Sequence, residues 1–283
     1  MNPTSSNQSL YPLSNDLLPD TGRVALVLGY DGSRYHGWQA QNSGVPSVQA
    51  EVEAALSKVA DHPVSVVCAG RTDAGVHAVN QVVHFETKAQ RSPYSWAMGV
   101  NHFLPADVSV SWAGAVSEDF HARYTATSRS YRYIIYNHPI RPAWLNSNVT
   151  WNYRPLDVES MAAAGAHLLG ENDFSAFRGS DCQSKSPFRN LTRLEVSRVG
   201  DMVVIEVEAN AFLHHMVRNI SGTLMAVGIG KKPSDWVADV LASKKRSKAG
   251  VTAPPFGLYL TSVTYPEKFA IPSLRKGPFF LGA

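Results

Sequence analysis

One order of apolar segments, found twice along the chain, constrains the fold more than any other feature of the sequence. Short apolar or alternating runs predict strands, and apolar residues spaced three and four apart predict helices. The first half predicts a strand, a helix, two strands, a helix and a strand, at 23–32, 47–60, 64–70, 81–87, 92–104 and 108–116. Hairpins and crossovers in this β-α-β-β-α-β order favour an α+β fold, with helices packed on a largely antiparallel sheet.

The second half repeats this order loosely. It predicts a strand, an alanine-rich helix, a hairpin, a helix and a strand, at 130–137, 157–170, 191–210, 213–227 and 258–266. The hairpin is expected to turn at Gly200-Asp201, and the helix after it is expected to end at Gly228 and Gly230. We therefore expect two similar halves that share one sheet.

The domain boundaries follow from these patterns. The halves are expected at 22–118 and 119–270, and a tail follows at 271–283. Residues 1–21 are mostly polar and lack the basic start and apolar stretch of a signal peptide. They are expected to form a disordered extension.

Composition excludes several classes of protein. With 44% hydrophobic and 17% charged residues, the chain is typical of a globular protein rather than a disordered or fibrous one. No apolar run reaches the roughly 18 residues of a membrane-spanning helix, so no membrane partner is expected. Two cysteines, Cys68 and Cys182, fit a reducing compartment, which makes the cytoplasm the expected location. The net charge of +3 permits nucleic-acid binding without requiring it.

A long polar loop between two predicted strands is the first candidate site. A hairpin needs only about two to five connecting residues. Residues 68–81 instead include Gly70, Arg71, Thr72, Asp73, Gly75 and His77. Glycines permit unusual backbone conformations and the close approach of a ligand, and polar loops on a rigid scaffold commonly carry function.

Three other interpretations of this loop are weaker. A turn built on an Asx hydrogen bond would need no function, but the density of Gly, Arg, Thr and His argues against it. A phosphate-binding loop would need Lys-Ser or Lys-Thr after the glycines, and neither is present. Asp73, His77 and His84 match no standard zinc spacing, so no metal is expected.

A stretch without acidic residues is the second candidate site. From Phe120 to Leu156 there is no Asp or Glu. The basic and aromatic residues of this stretch are Arg123, Arg129, Arg132, Arg141, Arg154, Phe120, Tyr124, Tyr131, Tyr133, Tyr136, Trp144, Trp151 and Tyr153. Arginines neutralise phosphates and aromatic rings stack on unpaired bases, so the composition predicts RNA binding, with about half of the aromatics in the core instead. A second basic and aromatic patch lies at 174–193.

The segment FLHHMVRN (212–219) carries two adjacent histidines and an arginine. On a helix, His214 and His215 would point about 100° apart and could not easily share a metal ion, whereas His214 and Arg218 would share a face. An arginine beside an apolar stripe needs a partner. A catalytic carboxylate and a surface salt bridge are both open.

These segments together resemble the tRNA pseudouridine synthase A family over about residues 22–270. The loop AGRTDAGVHA (69–78) matches the family's catalytic motif. Five other segments match in the same order, YDGSRYHGWQAQ (30–41), DFHARYTATSRSYRYIIYN (119–137), LLGENDFSAFR (168–178), ANAFLHHMVRN (209–219) and APPFGLYL (253–260). The resemblance implies the pseudouridine synthase fold and the isomerisation of uridine to pseudouridine at positions 38 to 40 of the tRNA anticodon stem-loop. It also implies a homodimer whose protomers together form the RNA clefts.

The resemblance also implies roles for individual residues. Asp73 would be the nucleophile, and Arg71 would help to hold the target base out of the stack. Tyr131 would pack on the uridine, Arg218 would pair with Asp73, and Leu258 would also contact the substrate. The expected tRNA contacts are Arg71, Arg91, Phe120, His121, Ala122, Arg123, Tyr124, Asp181, Cys182, Gln183, Ser184 and Lys185. No cofactor is expected, because replacing a C–N glycosidic bond by a C–C bond consumes no redox equivalent.

Two other functional classes remain as alternatives. An RNA-binding module would explain the acid-free stretch but leaves the Asp73 loop without a purpose. A glycosidase-like hydrolase would use a carboxylate on a glycosidic bond, but it normally needs a second acid nearby, and no second acid lies in this loop. Binding alone, release of free uracil and formation of a mass-neutral isomer distinguish the three.

Overall fold

The computed structural model describes residues 13–41 and 44–281, which form one ten-stranded sheet with five α-helices. The strands are β1 (Arg23–Tyr30), β2 (Val67–Cys68), β3 (His77–Glu86), β4 (Val108–Ala115), β5 (Ser128–Asn137), β6 (Thr150–Asn152), β7 (Gly170–Asp173), β8 (Phe188–Val199), β9 (Met202–Ala209) and β10 (Leu258–Thr264). The helices are α1 (Val48–Ala60), α2 (Pro93–Phe103), α3 (Val158–Ala166), α4 (Met216–Gly228) and α5 (Trp236–Ser243). Each half has the predicted β-α-β-β-α-β order, to which β6, β7 and α5 are additions.

The sheet is continuous across the two halves. Its spatial order is β4-β1-β3-β10-β5-β9-β8-β7, with β2 paired to β3 and β6 paired to β5. The neighbours along this order are antiparallel except β3 and β10, and β6 lies parallel to β5. The expected α+β fold with a shared, largely antiparallel sheet is confirmed, and the halves meet at the β3–β10 pair.

Alternation along the strands places the helices on one face of the sheet. On β1, Leu26 and Leu28 belong to the core that includes buried residues of all five helices. Ala25 and Val27 point to the opposite face, as successive residues of a strand must. That face is covered by non-helical segments that contribute Phe120 and Leu274.

The ends of several elements match their sequence signals. α1 begins after Ser47, whose hydroxyl accepts a hydrogen bond from the Ala50 N–H at 3.4 Å. α2 begins after Ser92, with Pro93 in its first turn. The β8–β9 hairpin turns where predicted, and Gly200 there has a left-handed φ of 56°.

Several boundaries differ from the predictions. β3 begins at His77 rather than 81, so His77 lies on this strand and not in the predicted polar loop, and α3 ends at Ala166 rather than 170. Two other differences have identifiable reasons. β2 contains only two residues rather than 64–70, because side chains of α1 replace a partner strand there. The Val64 N–H donates to the Ser57 hydroxyl at 2.9 Å, and the Val66 N–H donates to Glu53 Oε1 at 2.9 Å. α4 begins at Met216 rather than near 213, because a tight turn precedes it.

The N-terminal segment contacts the folded body. Of the predicted disordered extension at 1–21, residues 1–12 lie outside the described residues. The next residues are held against α2, where Leu18 N–H donates to the Arg91 carbonyl and Tyr94 N–H donates to the Ser14 carbonyl, both at 3.1 Å.

Within the described residues, the helices are too short and too polar for any of them to cross a lipid bilayer.

Candidate active site around Asp73

The candidate site lies where two strands share one edge of β3. β2 pairs with β3 at Val83 and His84, whereas β10 pairs with it at His77 and Ala78. The connection 69–76, which we call the Asp73 loop, leaves the sheet between these two pairings. The loop contacts the second half of the chain there, through Asp73 and Arg218.

A neighbouring segment supports the backbone of the Asp73 loop. The Thr72 carbonyl accepts the Trp38 N–H at 3.0 Å, and the Thr72 and Tyr30 hydroxyls are 2.8 Å apart. Gly37 has a φ of 94°, and a Cβ there would lie 2.6 Å from the Thr72 carbonyl oxygen. Glycine is therefore required at this close approach. The segment 30–38 thus supports the loop, a role that the sequence did not assign to it.

Asp73 faces an arginine from the second half. Arg218 Nη1 donates to Asp73 Oδ2 at 3.1 Å, and Arg218 Nε donates to the Ala253 carbonyl at 2.9 Å. The side chains of Arg218 and Asp73 are 14% and 24% exposed. Of the two partners left open by the sequence, the loop carboxylate is the one found, in a pair sheltered from solvent rather than in a surface salt bridge.

Two histidines complete the surroundings of the carboxylate. His214 Nε2 lies 3.4 Å from Asp73 Oδ1, and His215 Nε2 lies 3.3 Å from Oδ2, with the two rings stacked at 3.8 Å. The expectation that these adjacent side chains diverge is wrong, because both precede α4 and His215 has a left-handed φ of 60°. Burial lowers the pKa of His215, which favours its neutral imidazole.

Tyr131 and Tyr133 lie on the same face of β5, but only Tyr131 is beside the Asp73 loop. The Tyr131 ring is 8% exposed and packs edge-on against Phe212 at 5.0 Å. A Cβ at Gly70 would lie 3.5 Å from the Tyr131 hydroxyl. Burial raises the pKa of this hydroxyl, so the residue is a neutral phenol.

Tyr133 and Leu258 lie next to each other on the same face. They are direct partners in the β5–β10 pairing, and both are buried. The Tyr133 hydroxyl is 2.6 Å from the Thr150 hydroxyl and donates to the Pro254 carbonyl at 2.9 Å. The Tyr131 hydroxyl, by contrast, has no hydrogen bond within the described part of the chain.

Exposed basic and aromatic side chains lie near the site. Arg71 is exposed and forms no hydrogen bond or ion pair with the described residues. Arg123 lies 5.7 Å from the centre of the Tyr124 ring, and Tyr124 is 76% exposed. His121 orders this turn, because its Nδ1 accepts the Arg123 N–H at 3.1 Å. These side chains are accessible to RNA.

Phe120 and Ala122 do not present side chains to RNA. Both are fully buried in a cluster with Phe269 and with residues of β1. The expectation that they contact tRNA directly is therefore corrected for their side chains. They alternate with His121 and Arg123, so their burial fixes the direction of the accessible residues.

Two arginines of the acid-free stretch also face inward. The Arg129 guanidinium is buried and donates to four backbone carbonyls, those of Ala69, Arg123, Ala126 and Asn210. It therefore ties the start of the Asp73 loop to the 120–124 turn. Arg132 binds Glu206 at 2.8 Å. The stretch thus contains fewer arginines free to bind phosphate than its composition suggests, because pairing with distant segments occupies two of them.

The remaining expected RNA contacts lie in two other segments. Arg91 is half-buried just before α2, and its side chain hydrogen-bonds only to the Gln90 carbonyl, at 3.0 Å, among the described residues. The segment 181–185 lies beside His214, whose N–H donates to Cys182 Sγ at 3.4 Å. Its exposed members are Asp181, Gln183 and Lys185.

Comparison with known proteins points to one family. The family model described as tRNA pseudouridine synthase matches residues 27–125 and 164–266. Curated proteins named tRNA pseudouridine synthase A from Coxiella burnetii (strain RSA 331 / Henzerling II) and Legionella pneumophila (strain Paris) are each 58% identical to the chain over 259 residues. These alignments cover 92% of the chain, and 99% and 98% of the two relatives.

Proposed function

The chain belongs to the tRNA pseudouridine synthase family, and on that basis we propose that it converts uridine to pseudouridine at positions 38, 39 and 40 of the tRNA anticodon stem-loop. Asp73 is the nucleophile in this proposal. The observation that carries it is the position of Asp73. It lies on the Asp73 loop at the junction of the two halves, and Arg218 donates to one of its carboxylate oxygens at 3.1 Å.

The surroundings of Asp73 suit a carboxylate that reacts through one oxygen. Arg218 holds Oδ2, and within the described residues Oδ1 accepts no hydrogen bond. A carboxylate in this position can add to C1′ of the ribose or C6 of the base, or take a proton from the sugar. The bond that breaks and the bond that forms belong to the same nucleotide, so the reaction needs no cofactor.

The target base must leave the helical stack to reach Asp73. Flipping a base costs about a few kcal/mol. Arg71 is exposed two residues from Asp73, where it can occupy the space that the base vacates. The buried, neutral ring of Tyr131 offers a flat wall to the uracil, and such stacking contributes on the order of 1–3 kcal/mol. Leu258 extends this apolar wall on the adjacent strand.

The proposed function also includes contacts with the tRNA backbone and assembly into a homodimer. Arg91, Arg123 and the 181–185 segment contact the tRNA backbone on either side of the site. Two copies of the chain form the RNA cleft together, and the exposed side chains of Ile140 (72%) and Trp144 (80%) are apolar groups that a second copy would cover. Both cysteines are unpaired, which supports a cytoplasmic location.

An isomerisation assay on unmodified tRNA transcripts tests the proposal. We expect pseudouridine at positions 38–40, with no change in RNA mass and no free uracil. Release of uracil would indicate a glycosidase, and binding without product would indicate an RNA-binding module; either result contradicts the proposal. In cells that lack the protein, tRNA should lose these pseudouridines and regain them with the wild-type chain but not with Asp73→Asn.

A further inference from the structure

The backbone of His215 is unusual for its place in the fold. Among the described residues, the non-glycine residues with left-handed backbones are Asp61, His215, Lys244 and Ala270. The other three directly follow a helix, where this conformation is common. His215 instead precedes α4, a position that normally has an extended backbone, and its side chain forms no capping hydrogen bond. Strain of this kind needs a compensating interaction, and it clusters at functional sites.

The left-handed backbone brings two consecutive rings to one carboxylate. With it, His214 Nε2 reaches Asp73 Oδ1 at 3.4 Å while His215 Nε2 reaches Oδ2 at 3.3 Å. Consecutive residues in a regular helix or strand point in different directions and could not do this. The compensating interaction is therefore with Asp73 rather than with the helix.

Segment 179–182 holds the turn in place. The Gly179 N–H donates to the His214 carbonyl at 2.8 Å, and the His214 N–H donates to Cys182 Sγ at 3.4 Å. A Cβ on Gly179 would lie 2.9 Å from His214 Nδ1 and 3.3 Å from His215 Nδ1, so only glycine leaves room for the stacked pair. Three separate segments of the chain thus cooperate to place the two rings.

We propose that His214 and His215 are positioning residues for the Asp73 carboxylate, an inference that rests on the proposed function. Arg218 is the charged support of Asp73, and the histidine pair is a second support that restrains the carboxylate. The contact distances agree with this role, because 3.3 and 3.4 Å exceed the roughly 2.7–2.9 Å of charge-assisted hydrogen bonds. Such contacts commonly tighten when substrate binds.

The same three side chains bring possible ligand atoms within 4.8 Å of one another, which raises the question of a metal ion. Two features argue against a cation here. The Arg218 guanidinium already lies on the same carboxylate at 3.1 Å. The imidazoles also stack with only 28° between their planes, so their nitrogen lone pairs run side by side instead of converging.

The first test replaces His215 by glycine, which accepts a left-handed backbone freely. If the His215 side chain has no role in the reaction, His215→Gly should relieve the backbone strain, melt at the wild-type temperature or higher and react at the wild-type rate. We expect the melting temperature to be kept or raised, the tRNA Kd to stay within about threefold, and the single-turnover rate to fall by at least tenfold. An unchanged rate would overturn the proposal for His215. His167→Gln is the matched control, because His167 makes a similar contact with Asp235 at 3.4 Å away from the site, and its rate should not change.

The second test compares two replacements of His214. A glutamine can offer an N–H donor at nearly the reach of His214 Nε2, whereas leucine fills similar space without a donor. We expect His214→Gln to react within about threefold of wild type and His214→Leu to react at least tenfold more slowly, both with unchanged tRNA Kd. Equal rates in the two variants would show that no polar contact with Asp73 is needed.

Two further measurements separate this inference from its alternatives. Asp73→Asn in the same assay tests the proposed function; if it is inactive while all histidine variants react normally, only the positioning role fails. If Asp73→Asn is active, the assignment of Asp73 as the nucleophile fails, and absence of pseudouridine with the wild-type chain would contradict the proposed function. A rate that is lost on dialysis against EDTA and restored by Zn²⁺ would make the histidines metal ligands and overturn the positioning role.

Discussion

The β2–β3 and β8–β9 connections occupy the same place in the two halves, yet they have opposite properties. Residues 200–201 close the second hairpin, and β8 and β9 pair from Leu191 to Val199. Residues 69–76 form the Asp73 loop, and β2 pairs with β3 only through Val67 and Cys68. The first half therefore has a long loop where the second half has a long strand pair. The part of the β3 edge that β2 leaves unpaired is the part to which β10 pairs, which joins the halves.

This difference shows how one copy of a repeated supersecondary unit can carry a candidate active site that the other copy lacks. A two-residue turn between long strands is too short to hold a group of polar side chains, whereas the longer connection holds Arg71, Thr72 and Asp73. The second half, which lacks such a loop, supplies the partners instead: Tyr131 from β5 and Arg218 from α4. The site therefore needs both halves, and neither unit contains it alone.

The largest expected effect is the loss of reaction rate when the aspartate of the first connection is replaced, compared with the same replacement in the second connection. Asp73→Asn is nearly isosteric but removes the carboxylate charge, so pseudouridine formation should fall by at least about a thousandfold while tRNA affinity is kept. Asp201→Asn, in the equivalent hairpin turn, should react at the wild-type rate. Single-turnover assays and filter binding measure both. Turnover by Asp73→Asn within tenfold of wild type would sink the assignment of the nucleophile.

The next effect tests what the second half contributes to the loop. If the Tyr131 hydroxyl transfers a proton, Tyr131→Phe should bind tRNA normally and react about a hundredfold more slowly. Tyr131→Leu should in addition lose stacking on the order of 1–3 kcal/mol. Tyr133→Phe is the control, because that hydroxyl is engaged with Thr150 and Pro254, and its rate should be normal. Near-wild-type rates in both Phe variants would leave stacking as the only role of Tyr131.

A third prediction concerns the buried arginine that ties β5 to the start of the Asp73 loop. Arg129→Met leaves buried carbonyls such as that of Ala69 without a donor, so it should lower the free energy of unfolding by about 4 kcal/mol. Arg154→Met, at an exposed arginine of the same acid-free stretch, should cost less than about 0.5 kcal/mol. Urea denaturation monitored by circular dichroism gives both values. Similar costs would mean that the carbonyl clamp adds nothing to stability.

Replacing a glycine with a left-handed backbone next to each connection tests how much each connection depends on its surroundings. Gly37→Ala forces a Cβ to 2.6 Å from the Thr72 carbonyl oxygen, so both strain and overlap should cost about 3 kcal/mol and displace the loop. Gly200→Ala has strain but open space around it, and it should cost about 1 kcal/mol with full activity. Thermal unfolding and rate measurements on both variants check this. Equal losses would show that the 30–38 segment does not support the loop.

The smallest expected effect concerns RNA binding outside the site. Arg91→Ala and Arg123→Ala should each weaken tRNA binding by about tenfold and reduce the slope of log K against log salt by about one unit for each phosphate that the variant no longer neutralises. Arg193→Ala on β8 is the control, because Arg193 is already paired with Glu195 and Glu206. If affinity and slope stay unchanged in both test variants, these arginines do not face RNA.

Much of the fold was predictable because its signals are local. The apolar periodicity of α1 and α2 and their serine caps depend on residues within a few positions of one another, and both helices were found near the predicted bounds. β2 was predicted too long, because Ser57 and Glu53 of α1 take its backbone hydrogen bonds, and no local pattern indicates that. The left-handed backbone of His215 was missed for the same reason.

The sequence by itself determined the order of the elements, the two-half arrangement and the loop that holds Asp73, since each depends on patterns within short windows of the chain. Only the tertiary structure decided which charged groups meet. Asp73 and Arg218 are 145 positions apart. Arg129 and Arg123 belong to one stretch of the sequence, yet the Arg129 side chain points to buried carbonyls and the Arg123 side chain points to solvent. An arginine's own sequence neighbourhood does not specify whether it will face phosphate or a buried carbonyl, because its partners are set by strand pairing across the whole sheet.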